Sequence, residues 1–166
     1  MKRVVLLGLV ILLGVWIVFP VASMKPDNGD RAREEITEEA VAALGRPVSV
    51  TVGEPVRDGG LLRYEGLAVS GKGSQSTAAA IHAWFDERSG AYLGTVTLTG
   101  FFGPDAQVTG SSFWETDLSR ECAVVNEESH QYSGQVERAY TFQWGTLTSA
   151  STPIRIWWNG SWYSLA

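Results

Sequence analysis

The sequence predicts an α+β domain, in which one amphipathic helix packs on a mainly antiparallel β-sheet, preceded by a transmembrane helix. Three observations lead to this prediction: an uncharged apolar run near the N-terminus, one stretch with helical hydrophobic periodicity, and several later stretches in which apolar and polar residues alternate. The chain has 166 residues, and the part beyond the apolar run is long enough for one hydrophobic core. We therefore expect a single domain over residues 31–166.

The apolar run, residues 4–22, reads VVLLGLVILLGVWIVFPVA and contains no charged side chain. As a helix it would span about 28 Å, close to the roughly 30 Å of a bilayer's hydrocarbon core. Lys2 and Arg3 precede it, and positive charges stay on the cytoplasmic side of a membrane. We therefore expect a single-pass protein that contacts the membrane through this run, with its N-terminus in the cytoplasm and its domain outside.

A cleaved signal peptide is the alternative to a membrane anchor over residues 1–23. Small residues near Ser23 would permit cleavage there, and the domain would then be secreted. The apolar run is longer than the roughly 7–15 residues usual in signal peptides, which favours the anchor. Both alternatives place the domain outside the cytoplasm.

One helix is predicted after a polar linker over residues 24–30. Asp30 can cap its start, and Gly45 with Pro47 ends it. Its apolar stripe, with helical spacing, comprises Ile36, Ala40, Ala43 and Leu44. The glutamates, which we assign to the solvated face, are Glu34, Glu35, Glu38 and Glu39.

The remaining chain favours strands, because β-branched and aromatic residues alternate with small or polar ones between turn sequences. The run 77–85, TAAAIHAWF, contains three alanines that favour a helix, but the turns on both sides favour a strand. Asn159-Gly160 predicts a two-residue type I′ turn within a closing hairpin, and it also begins a possible N-glycosylation sequence. The predicted strands cover residues 48–52, 61–70, 77–85, 91–99, 136–144 and 154–165.

Several functional classes receive no support from the sequence. The net charge is -5 and no basic patch occurs, so no nucleic acid partner is expected. Residues 66–72 match the start of a phosphate-binding loop, but Gly73 replaces its serine or threonine, and a strand is predicted there. No nucleotide is therefore expected.

No catalytic residue, metal site or cofactor is predicted either. His82 and His130 are the only histidines, and their spacing gives no reason for them to meet. His130 lies in a polar stretch that we interpret as a loop. Cys122, the only cysteine, is flanked by an acid and apolar residues, so we expect a buried small hydrophobe. An enzyme would require both histidines and a carboxylate to converge in one cleft.

The aromatic C-terminal segment is the best candidate for an interaction surface. Trp157 and Trp158 are adjacent, so in a strand their rings point to opposite faces. At least one ring must face away from the main core. The candidate interaction residues are Trp157, Trp158, Trp162 and Tyr163.

Several short segments carry a resemblance to a known family. They are Ala43-Leu44, Val52-Gly53-Glu54-Pro55-Val56, Val69-Ser70-Gly71-Lys72-Gly73, and the strand pair 79–85 and 91–98. Following a membrane helix and a short linker, their order resembles the cytochrome oxidase complex assembly protein 1 family and the related inner-membrane translocase subunit. The resemblance covers residues 33–99. It implies a tethered α+β domain that binds another membrane protein and assists assembly without catalysis.

Two departures from this family keep an alternative open. Tyr92-Leu93 stands where members often have tryptophan, and residues 101–166 have no counterpart. About four strands are expected in that region. The domain could therefore be an enlarged sheet of the cystatin-like or nuclear-transport-factor-like kind, binding a glycan or an apolar ligand on an aromatic-lined surface.

Overall fold

The computed structural model describes residues 28–46, 49–71, 76–158 and 163–164. The predicted anchor and the first part of the linker lie outside these ranges. Within them, no helix has the length and apolar character needed to cross a membrane. The helix begins at Asn28, so the last residues assigned to the linker, 28–30, are helical.

The described elements confirm the α+β class, with one helix followed by antiparallel strands. The helix, α1 (Asn28–Leu44), comes first. The strands are β1 (Ser49–Val52), β2 (Val56–Asp58), β3 (Leu61–Ser70), β4 (Ser76–Asp86), β5 (Tyr92–Phe102), β6 (Val108–Thr116), β7 (Cys122–Tyr132), β8 (Gln135–Trp144), β9 (Leu147–Thr148), β10 (Thr152–Trp158) and β11 (Tyr163–Ser164). Every strand predicted from the sequence has a counterpart among them.

The described strands form two sheets rather than the single sheet that we predicted. The first has the order β1-β3-β4-β5-β6, with β2 also paired to β3. The second has the order β11-β10-β8-β7, with β9 paired to β8. The helix covers one face of the first sheet and the second sheet covers the other, which gives three layers with two apolar cores.

Burial on both faces explains the composition of β4. Ala80 and Trp84 point into the core between the two sheets, whereas Ile81 and Phe85 point into the core beneath the helix. A strand covered on both sides needs apolar residues at consecutive positions, so polar alternation disappears. The predicted strand over residues 77–85 is confirmed, and its alanines allow both neighbouring layers to approach closely.

The prediction that Glu39 lies on the solvated face of the helix is wrong. Its carboxylate is buried, and Oε1 accepts hydrogen bonds from Thr97 Oγ1 at 3.1 Å and Trp114 Nε1 at 2.6 Å. A carboxylate can be buried here because donors on β5 and β6 replace the water that it loses. Glu34 and Glu38 are exposed as predicted.

The helix approaches the first sheet most closely at Gly66, where a Cβ atom would overlap the Ile36 side chain. Gly66→Ala is therefore expected to lower the free energy of unfolding by about 2 kcal/mol, because the helix must shift away from the sheet. Urea denaturation of the full chain in detergent would measure the change. Gly53→Ala is the control, since its Cβ would meet, among the described residues, only the Glu65 carbonyl oxygen, at 3.7 Å. Equal losses in the two variants would contradict close packing at Gly66.

The C-terminal half differs from the prediction at His130, which lies in strand β7 rather than in a loop. The register of the last two described strands pairs Trp158 with Tyr163. The predicted type I′ turn at Asn159-Gly160 lies outside the described residues.

Candidate functional site

The structure separates the two adjacent tryptophans as the sequence predicted. Trp157 is 37% exposed on the outer face of the second sheet, whereas Trp158 is half-buried against the core between the sheets. Tyr163 is the backbone partner of Trp158 in β11. Trp162 lies outside the described residues. Among the predicted interaction residues whose side chains the structure describes, Trp157 is therefore the exposed one.

Strand register places a second exposed ring in the same row as Trp157. Trp157 pairs with Gln135 on β8, and Gln135 pairs with Tyr132 on β7. Tyr132 is 56% exposed. Directly paired residues share one face of a sheet, so the row reads tryptophan, glutamine, tyrosine across three strands.

The neighbouring row on the same face is polar. It comprises Arg155, Glu137 and His130, again paired directly across β10, β8 and β7. Glu137 Oε2 accepts a hydrogen bond from Gln135 Nε2 at 2.9 Å and lies 3.0 Å from Arg155 Nε. The His130 ring stacks on Tyr132, with 5.9 Å between centroids. We call these two rows the aromatic face; its residues are Trp157, Gln135, Tyr132, Arg155, Glu137 and His130.

Most of the aromatic face was missed because β7 was not predicted. Its second half, Asn126-Glu-Glu-Ser-His-Gln131, is polar and shows no apolar alternation. The register of β7 shifts between Asn126 and Ser129, which further disturbs the pattern. The one available signal in the sequence was Ser133-Gly134, since a glycine between two strand-like runs indicates a hairpin. In the structure this pair joins β7 to β8, and Gly134 has φ +74°.

A second group of polar residues lies buried between the two sheets. His82 Nδ1 lies 2.7 Å from the Tyr140 hydroxyl, and Trp84 Nε1 donates to that same oxygen at 2.9 Å. Among the contacts of this hydroxyl, His82 Nδ1 is the available acceptor for its proton. The histidine then carries its own proton on Nε2, which lies 4.0 Å from Glu65 Oε1.

Arg63 completes this polar cluster. Its Nε and Nη2 atoms both donate to Glu65 Oε1, at 3.0 and 2.7 Å, and Nη1 lies 3.5 Å from Thr152 Oγ1. The guanidinium also lies over the Trp84 ring, 5.5 Å from its centroid. The polar cluster, which comprises Arg63, Glu65, His82, Trp84, Tyr140 and Thr152, therefore links the first sheet to the second.

Burial governs the titration of the polar cluster. Desolvation, and then the charge of Arg63, hold the pKa of His82 well below 6.5. Desolvation also raises the pKa of Tyr140 above its ordinary value. Both side chains are therefore neutral in the folded protein at neutral pH. A neutral pair that hydrogen bonds across two sheets stabilises their packing.

Stability is expected to fall as the pH is lowered below about 6.5, because the unfolded chain then protonates His82 and the folded chain does not. The depressed pKa thus contributes stability above pH 6.5 that is lost towards acid, at up to about 1.4 kcal/mol per pH unit. Urea denaturation at a series of pH values would measure this dependence. His82→Asn keeps an acceptor for Tyr140 but cannot titrate, so its profile should lack this part of the slope. An unchanged slope in His82→Asn would assign the effect to other groups.

The two histidines do not converge. His82 lies between the sheets, whereas His130 lies on the outer face of the second sheet. The cleft that our enzyme hypothesis required, with both histidines and a carboxylate, is therefore absent from the described residues. No group of three or more potential ligand side chains suited to a metal ion occurs in those ranges either.

Two further sequence motifs have ordinary structural positions. Residues 66–70 of the apparent phosphate-binding loop belong to strand β3, and residues 66–69 pair with both β1 and β4. A strand cannot wrap around a phosphate as the loop of that motif does. Cys122 is half-buried at the start of β7, where its thiol contacts the Leu93 carbonyl oxygen at 3.4 Å and packs against the core between the sheets.

Comparison of the chain with protein-family models, with curated proteins and with solved structures gives no match.

Proposed function

We propose that this protein is a membrane-tethered, extracytoplasmic binding module that holds its partner on the aromatic face and has no catalytic role. The observation that carries the proposal is the row formed by Trp157, Gln135 and Tyr132. Aromatic residues that are exposed together in one row are a costly use of apolar surface unless they bind something. The tether is the apolar run 4–22, and the module follows it outside the cytoplasm.

The distribution of exposed rings supports this choice of surface. Among the large apolar side chains that are exposed in the described residues, the aromatic ones are Phe101, Tyr132 and Trp157. Two of these share one row on the second sheet. Beside them Glu137 accepts a hydrogen bond from Gln135 and forms an ion pair with Arg155. Tryptophan, tyrosine and arginine are the residue types that contribute most to binding surfaces.

A photocrosslinker placed in this face would test the proposal in native membranes. Tyr132→p-benzoylphenylalanine exchanges one exposed aromatic side chain for another and reacts with C–H bonds of whatever lies against it. We expect illumination to convert a defined fraction of the full-length protein into a heavier adduct. Electrophoresis and mass spectrometry of the purified chain would detect the adduct.

Phe101 provides the matched control position, since it is 41% exposed and lies on the first sheet. Phe101→p-benzoylphenylalanine should give no comparable adduct. Absence of an adduct at position 132, or equal adducts at both positions, would overturn the aromatic face as the binding surface.

A further inference from the structure

We propose that the ligand of the aromatic face is an uncharged polysaccharide, bound as an extended chain along the row from Trp157 to Tyr132. This inference rests on the proposed function and names the class of partner. It is argued from the spacing of the two rings, from the hydrogen-bonding groups between them and from the charge of the face.

The two rings stand on alternate strands of the second sheet. Gln135 separates them by register, so their backbones are two strand spacings apart, about 9.6 Å. The C–H faces of sugar rings pack against aromatic faces. A saccharide chain crossing the strands can thus place one sugar on each aromatic side chain while an intervening segment passes over Gln135.

The polar groups beside this path suit hydroxyl groups. Gln135 Nε2 donates to Glu137 Oε2, which fixes the amide and leaves its oxygen as an acceptor. Arg155 Nε lies 3.0 Å from the same carboxylate. Amide and carboxylate groups that are held in this way match sugar hydroxyls, which both donate and accept. Because these side chains are already ordered, binding loses little side-chain entropy.

Charge selects against ionic ligands. Among the described side chains of this face, the carboxylate of Glu137 pairs with the guanidinium of Arg155. Because this pair carries no net charge, we expect recognition to depend on ring contacts and neutral hydrogen bonds. A protein partner would also use the rings, but it would favour apolar cover between them, where this row has the amide of Gln135.

Within the described part of the chain, helix α1 does not cover the aromatic face. This face lies on the outer side of the second sheet, whereas α1 lies beyond the first sheet. The N-terminus of α1 is where the predicted anchor joins the domain. Two layers of sheet therefore separate the aromatic face from the helix that leads to the membrane.

Isothermal titration of the full-length protein in detergent would test this inference, with cello-oligosaccharides and chito-oligosaccharides as neutral probes and oligogalacturonate as the charged probe. We expect one neutral series to bind, with affinity rising from disaccharide to tetrasaccharide as the chain reaches both rings. Trp157→Ala and Tyr132→Ala should each weaken binding by about tenfold, the loss of one ring contact. Phe101→Ala, the control, should leave affinity unchanged.

The variants must also remain folded for this test, and their urea midpoints should match that of the parent chain because both rings are exposed. Absence of binding by both neutral series would overturn the inference, as would equal affinity in the parent chain and in both ring variants. Preference for oligogalacturonate would overturn it too.

The crosslinked adduct at position 132 separates failure of this inference from failure of the proposed function. An adduct that periodate and glycosidases degrade supports a polysaccharide ligand. An adduct that only protease degrades keeps the binding module and rejects the polysaccharide. No adduct, together with no titration signal, rejects both.

Discussion

Replacing Trp84 by alanine is expected to lower the free energy of unfolding by about 4 kcal/mol. The side chain is fully buried between the sheets and stacks on Phe142 at 4.8 Å, with 6° between the ring planes. Its removal leaves a cavity the size of an indole ring and deprives the Tyr140 hydroxyl of a donor. Chemical denaturation of the full chain, followed by circular dichroism, would measure the loss.

Two variants show whether the loss arises from the ring or from its N–H group. Trp84→Phe retains an aromatic stack on Phe142 and loses the hydrogen bond to Tyr140, so we expect a loss of about 2 kcal/mol. Trp157→Ala removes an indole from the outer face and should cost less than about 1 kcal/mol. If Trp84→Ala were no more destabilised than Trp157→Ala, the core between the sheets would be wrongly assigned.

The second large effect is expected at Gly134, where alanine should lower the free energy of unfolding by about 3 kcal/mol. The residue has φ +74°, and a Cβ there would come within 2.6 Å of the Trp158 carbonyl oxygen. The left-handed conformation alone costs an alanine about 1–2 kcal/mol. The steric conflict adds to it, because Trp158 N also donates to the Gly134 carbonyl at 2.7 Å. Thermal unfolding would report the loss as a lower midpoint.

Gly145→Ala separates these two contributions. Gly145 has φ +56°, but no atom of the described residues lies within 4 Å of an added Cβ. It should therefore show the conformational cost alone, about 1 kcal/mol. Equal destabilisation of the two variants would mean that β8 and β10 do not meet at Gly134 as closely as described.

The first half of the fold was predictable because each element carries its own periodicity and its own boundary. Leu61–Ser70 begins after Gly59-Gly60, and β3 has the predicted bounds. The second sheet was harder to foresee. Apolar positions such as Val136 and Ile156 predict strands, but they do not state whether those strands extend one sheet or cover it with another. Only contacts between distant segments decide that.

The candidate site was likewise only partly predictable from the sequence. The sequence predicted that Trp157 and Trp158 face opposite ways, because adjacent residues in a strand always do. It did not predict that Tyr132 lies in the same row as Trp157. The register of β7 and β8 places Tyr132 there, and the second half of β7 is too polar to be recognised as a strand. The burial of Glu39 was equally hidden, because its donors come from Thr97 and Trp114, more than fifty positions away.

The three-layer arrangement has a consequence for biogenesis. The inner face of the first sheet is complete once Thr116, the last residue of β6, has been synthesised, but β8 and β10, which cover it, follow only at residues 135–158. A nascent chain therefore exposes apolar surface until β8 and β10 have been made. For the extracytoplasmic location that we propose, this order is useful, because the core between the sheets closes only after residues 135–158 have been translocated.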